Sequence, residues 1–264
     1  MNKVFAGAVT VLALGAVSAV SAIDLSVGGG GYFGTFFGGG IEASYSASDD
    51  INIDGSITAP YTGGGVYGFF DARYVEISIG YFIAGGTWDA EYTVPDDETD
   101  EPTSGKQSSA VSLQALNIGV LGKYPIALGG KLKLFPEAGI DYQICLSGEN
   151  KGKDEDGKET VTKWDGKPID PDDPDSDMKP KAGDFSAMQI KFGAGLDYAL
   201  TGKLFIRPEL LYGVRFASKS ETDQVDKYNN RIRLLRMLVP SFTGESKTRL
   251  GHGLLIKVGI GYTL

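Results

Sequence analysis

KLKLFPEAGIDYQICL, residues Lys131–Leu146, alternates from end to end. Leu132, Leu134, Pro136, Ala138, Ile140, Tyr142, Ile144 and Leu146 share one parity and are apolar or aromatic. Lys131, Lys133, Phe135, Glu137, Gly139, Asp141, Gln143 and Cys145 take the other and are mostly polar or small. Successive side chains of a β-strand point to opposite faces, so strict period two gives one oily face and one polar face. The run is longer than an ordinary soluble strand. Its polar face carries charges at mid-strand, where a soluble barrel or sandwich would need a dry core. Apolar outside and polar inside is the pattern of a transmembrane β-strand.

The same pattern recurs on both sides of this stretch. In Tyr74–Trp88, Val75, Ile77, Ile79, Tyr81 and Ile83 face out, while Glu76, Ser78, Gly80 and Phe82 face in. In Val111–Tyr124, Leu116, Ile118 and Val120 face out, and Asn117, Gly119 and Lys123 face in. Phe185–Leu200 turns Met188, Ile190, Phe192, Ala194, Leu196 and Tyr198 outward, with Lys191 inward. Lys203–Ala217 puts Leu204, Ile206, Pro208, Leu210, Tyr212, Val214 and Phe216 out and Arg207, Glu209 and Arg215 in. Leu250–Leu264 puts Leu254, Ile256, Val258, Ile260, Tyr262 and Leu264 out and Lys257 in. Asp24–Phe37 and Thr62–Ala72 read as the first two strands, but their glycines blur the parity.

The connections alternate in length. Gly38–Tyr61, Asp89–Ser109, Ser147–Asp184 and Ser218–Arg249 are long and polar. Asp71–Arg73, Pro125–Gly130 and Thr201-Gly202 are short. Within the last long connection, Arg231–Pro240 is compatible with a short amphipathic helix. Outer-membrane barrels put short turns in the periplasm and long loops outside. The expected fold is therefore all-β: a transmembrane, eight-stranded, antiparallel up-and-down β-barrel with short periplasmic turns and long extracellular loops. The competing fold is a secreted soluble barrel of lipocalin type, which needs apolar residues inside. It would turn Glu137, Lys191, Glu209 and Lys257 to water while long aliphatic stripes filled one small barrel.

Residues 1–22, MNKVFAGAVTVLALGAVSAVSA, read as a signal peptide. Lys3 is a basic start, Val4–Val17 is apolar, and small residues precede a cleavage point between Ala22 and Ile23. The alternative is an uncleaved anchor, since the run is nearly long enough to span. Residues 23–264 form one barrel domain. The net charge of −9 becomes more negative when Lys3 leaves with the leader, which argues against nucleic acid. Hydrophobic residues make up 42%, with 38 glycines and 13 each of Tyr and Phe. That mixture suits strands whose inner half is polar and whose ends carry aromatic girdles. One cysteine excludes an internal disulfide.

The chain resembles the small eight-stranded outer-membrane proteins of the OmpX/OmpW/OmpA-barrel kind. The residues behind this are the leader, the hairpin alternation, and the matched strands FPEAGIDY (Phe135–Tyr142) and RPELLYGV (Arg207–Val214). The resemblance spans Ile23–Leu264 and is architectural. It implies lipid as the surroundings and a C-terminal strand read by the barrel-assembly machinery. Members of the family usually end in Phe or Trp, whereas this chain ends in Leu264.

Residues that could carry chemistry are few. His252, the one histidine, has outward parity near the outer interface and reads as an interfacial residue before a catalytic one. Cys145 reads as a buried, inert thiol. Asp170, Asp172, Asp173, Asp175 and Asp177 offer oxygens to a hard cation, but Pro171 and Pro174 interrupt them and the EF-hand spacing is missing. A solvated acidic loop is the better reading, with no metal, no cofactor and no enzymatic activity expected.

The inward charges are the stronger constellation: Glu76, Lys133, Glu137, Asp141, Lys191, Arg207, Glu209, Arg215 and Lys257. Charges inside a barrel this narrow must pair or meet water. Eight strands leave an interior just filled by side chains. The expectation is an ion-paired plug in which Glu209, flanked by Lys191 and Lys257, contacts one of them. Such a protein acts through its surface loops, in envelope structure, adhesion or contact with a host or ligand, and the acidic loops are where an extracellular ligand would meet it. The alternative is a narrow channel for small or hydrophobic molecules. A monomer is expected.

Overall fold

Each wall strand pairs antiparallel with its neighbour, and the last pairs with the first. The structure is a computed structural model that describes residues 25–48, 51–58, 60–95, 102–153, 158–167, 181–238 and 243–264. The leader, its cleavage point at Ala22 and Ile23, and the run Asp170–Asp177 lie outside these residues.

The strands are β1 (Leu25–Ser48), β2 (Ile51–Thr58), β3 (Tyr61–Ala72), β4 (Val75–Pro95), β5 (Pro102–Lys123), β6 (Ile126–Gly129), β7 (Leu132–Lys153), β8 (Glu159–Lys163), β9 (Ala187–Ala199), β10 (Leu204–Arg215) and β11 (Thr243–Thr263). A 3₁₀ turn, η1, covers Ala182–Phe185, and a helix, α1, covers Lys219–Leu238. Around the wall the order is β1, β3, β4, β5, β7, β9, β10, β11 and back to β1, a closed eight-stranded barrel. β2 prolongs β3 between β1 and β4. Pro60, which has no N–H to give the ladder, stands just before β3 at the break. The first and last described residues meet at the short-turn end, where the Leu264 N–H donates to the Leu25 carbonyl at 2.9 Å. Among the described residues no helix is long and apolar enough to cross a membrane.

The outward parity is exposed along the wall, as at Ile79 and Ile260, both 55%. β1 and β3 resolve in the same way. Val27, Phe33 and Phe37 face out from β1, and Val66 and Phe70 from β3. Tyr67, Phe69 and Asp71 point in. The glycines that hide this pattern have a packing reason. At Gly28 on β1 a Cβ would lie 2.4 Å from the Phe69 ring, so the missing side chain is the space that ring fills.

The long connections are corrected. Gly38–Tyr61 is largely β1 and β2, and Asp89–Ser109 is largely the ends of β4 and β5. β7 runs on to Lys153 and folds back as β8, while β11 starts at Thr243 and not at Leu250. Beyond the bilayer both faces of a strand meet water, so period two fades although the ladder continues. The helix expected at Arg231–Pro240 begins earlier, at Lys219. Its Asn229 takes the place of a strand along the outer edge of β11: Asn229 Oδ1 accepts from the Ser246 N–H at 2.9 Å, and Asn229 Nδ2 donates to the Ser246 carbonyl at 3.2 Å. An edge covered in this way cannot recruit another chain.

Candidate functional site

The lumen is layered, not uniformly polar. Towards the short turns, Tyr67, Phe69 and Phe205 pack together, with Asp71 and Glu76 closer still to the β3/β4 turn. A charged layer adjoins them. An apolar layer of Phe36, Phe82, Ala84, Leu121, Leu211 and Leu255 lies further towards the long-loop end.

Arg207 is the hub of the charged layer and is 1% exposed. Its Nε and Nη2 donate to the two oxygens of Asp197 at 2.6 and 2.9 Å. Nη2 also donates to Asp71 Oδ2, and Nη1 to Glu76 Oε2, each at 2.8 Å. The guanidinium carbon lies 4.7 to 4.9 Å from the ring centroids of Phe69, Phe135 and Phe205. A planar fork can meet three carboxylates and three rings at once in a way that an ammonium cannot. Lys123 adds a direct ion pair to Asp71 and a longer one, 3.7 Å, to Glu76. Lys257 bonds Glu76 at 3.3 Å and is in direct contact with Glu209.

Glu209 thus meets Lys257, its directly opposite residue on β11. Lys191 does not flank it. The β9/β10 register sets Glu209 against Gly195 and Lys191 against Gly213, four residues further along. That is roughly 13 Å of strand. Lys191 instead pairs with Asp141 at 2.9 Å. Two other expected members also stand apart: Lys133 is exposed near the short-turn end, and Arg215 lies at the long-loop mouth on Glu221. Asp71 and Asp197 belong to the layer and were missed by the sequence reading. Asp71 reads as a turn residue because a two-residue turn follows β3, whereas Asp197 has the inward parity of Lys191 and was legible.

Six carboxylates (Asp71, Glu76, Glu137, Asp141, Asp197 and Glu209) thus face four cations (Lys123, Lys191, Arg207 and Lys257) across the lumen. Neither oxygen of Glu137 has a hydrogen-bond partner among the described residues. Glu76, Glu137 and Glu209 bring carboxylate oxygens within 4.8 Å of one another, a spacing that would suit a metal ion. The Lys257 ammonium, set against two of the three, already supplies a cation there.

At the long-loop mouth, Arg215 and Glu221 form a two-bond pair at 3.2 and 3.1 Å. Glu221 also accepts from the Ser218 N–H at 2.5 Å, and its own N–H donates to Ser218 Oγ at 3.3 Å. This reciprocal cap fixes the start of α1 over the opening. Lys219 joins α1 to η1 by donating to Asp184 at 3.2 Å, which holds its exposed ammonium above the usual lysine range. His252 Nδ1 lies 2.7 Å from the Tyr212 hydroxyl, and its ring lies near Phe37, on the outer face. Cys145 is buried beside Val111, Trp164 and Ala182.

Comparison with solved structures returns barrels of remote sequence. Neisserial surface protein A is 9% identical, with 89% of this chain and 97% of that one covered at a TM-score of 0.34. The outer membrane protein OprG of Pseudomonas aeruginosa is 12% identical, with 92% and 96% covered at 0.34. The outer membrane protease OmpT of Escherichia coli is 10% identical, with 92% and 96% covered at 0.34. No curated protein matches the chain. The family model described as outer membrane protein beta-barrel domain matches residues 24–215. This chain therefore belongs to the outer membrane protein beta-barrel domain family and lies in the outer membrane, with the apolar faces of its strands against lipid.

Proposed function

We propose that this protein is a closed barrel that acts through its extracellular end, in envelope structure, adhesion or contact with a host or ligand, and conducts nothing along its axis. The observation that carries this is the Arg207-centred layer, in which side chains from β3, β4, β5, β9, β10 and β11 meet across the lumen. An eight-stranded barrel has little interior to spare, and the apolar layer above adds a second barrier to ions. The same two layers weigh against the narrow-channel alternative. A non-enzymatic role fits the one histidine, which is bonded to Tyr212 on the outer face. Delivery by the barrel-assembly machinery fits the outward stripe Ile256, Val258, Ile260, Tyr262 and Leu264 on the last strand.

Folded protein in planar bilayers tests the closed lumen. The wild type is expected to show no steady conductance, and Glu209→Ala, which leaves Lys257 without its nearest carboxylate, is expected to give brief openings. Steady conductance in the wild type, unchanged in Glu209→Ala, would overturn the reading.

A further inference from the structure

Above the apolar layer, at the long-loop mouth, lies a cavity of about 110 Å³. Its walls include Tyr61, Trp88, Val111, Trp164 and Phe185, and the Arg215–Glu221 pair stands at its edge. Trp164 stacks on Phe185 at 4.0 Å and on Trp88 at 5.7 Å between centroids. The indole sits where it does because residue 148 is glycine: a Cβ there would lie 2.0 Å from the Trp164 ring. The roof is held in place by the cap at the start of α1 and by the Lys219–Asp184 link to η1, which carries Phe185.

Two properties define what the cavity would accept. Its lining is mainly apolar, and the only charged wall groups among the described residues, Arg215 and Glu221, are spent on each other. A neutral occupant is therefore favoured. An apolar protein cavity of about 150 Å³ stays dry and takes up benzene, so this one has room for about one six-membered ring. Trp164 is 6% exposed, yet its Nε1–H has no acceptor among the described residues. An indole N–H is a donor only and normally finds a partner when buried. An orphan donor on a residue that lines an apolar cavity calls for an occupant that brings an acceptor.

We infer that the extracellular mouth is a binding site for a small, neutral, ring-sized molecule with one hydrogen-bond acceptor, held by aromatic stacking and by the Trp164 Nε1–H. This rests on the reading that the barrel acts at its extracellular end, and it adds the chemistry of the ligand.

The chain has two tryptophans, and both line the cavity, so their emission reports on it without a label. Folded protein in detergent is titrated with anisole and with ethylbenzene, which have similar shapes and differ in the ether oxygen. A saturable change is expected with both. Anisole should bind about fivefold tighter, the worth of one neutral hydrogen bond. Trp164→Phe should make the two probes equal, and Val111→Phe, which fills the cavity, should abolish saturation. Equal affinity of the two probes in the wild type would overturn the acceptor requirement without using any variant. A change that never saturates, as in plain partition into micelles, would overturn the site itself. Neither result bears on bilayer conductance, so failure here is distinct from failure of the closed-lumen reading.

Discussion

Replacing Arg207 by alanine tests the plug at its hub. Four charge-assisted hydrogen bonds disappear, two to Asp197 and one each to Asp71 and Glu76. At about 1.5–3 kcal/mol each, a simple sum would reach roughly 6–12 kcal/mol. The structure argues for less. Lys123 remains beside Asp71 and Glu76, and Lys257 beside Glu76, so both carboxylates keep a cation. The Asp197 side chain is 18% exposed and can take up water. The expected loss is therefore that of one broken buried pair, about 3–5 kcal/mol. Arg207→Lys keeps the charge but loses the fork and the stacking, and is expected to cost about half as much. In the Arg207→Ala background, Asp197→Asn should restore about 1 kcal/mol by removing a carboxylate left without its partner. Urea unfolding in lipid vesicles, followed by tryptophan emission and by the heat-dependent gel mobility of the folded barrel, measures all three variants. If Arg207→Ala unfolds at the wild-type midpoint, or Arg207→Lys is as stable as wild type, the layer does not hold the barrel together as described.

Ile140 faces lipid at mid-strand, and Ile140→Arg is expected to cost about 2–4 kcal/mol or to block assembly; unchanged folding yield in vesicles would contradict the parity of β7. Gly139→Arg should fail as well, for a steric reason, since a Cβ there would lie 2.0 Å from the Val120 carbonyl oxygen. A tag at Val161, exposed on β8, should be labelled on intact cells and one at Gly202 should not; reversed labelling would invert the topology. Asn229→Ala bares the outer edge of β11 and should speed hydrogen exchange at the Ser246 amide about tenfold; unchanged exchange would mean that the helix does not protect that edge.

The lipid face of the barrel was legible in the sequence by itself, because period two has one solution wherever one side of a strand meets oil. Ile77, Ile140 and Ile256 are apolar for that reason, and the opposite parity of Glu76, Asp141 and Lys257 followed at once. Two kinds of information were absent from the linear pattern. The first is strand length beyond the bilayer: where both faces are wet, as along Glu159–Lys163, nothing alternates, and backbone pairing alone continues the sheet. The second is the choice of partner inside the lumen. Parity says that Lys191, Glu209 and Lys257 point inward, but register between strands decides which of them meet. Glu209 faces Lys257 directly across the β10/β11 pair and misses Lys191 by four residues across the β9/β10 pair. Only barrel closure could bring Arg207 from β10 to Asp71 and Glu76, which sit beside a turn more than a hundred residues earlier. The ladder spaces residues by hydrogen bonds between strands, and that spacing is a property of the closed sheet, not of any one strand.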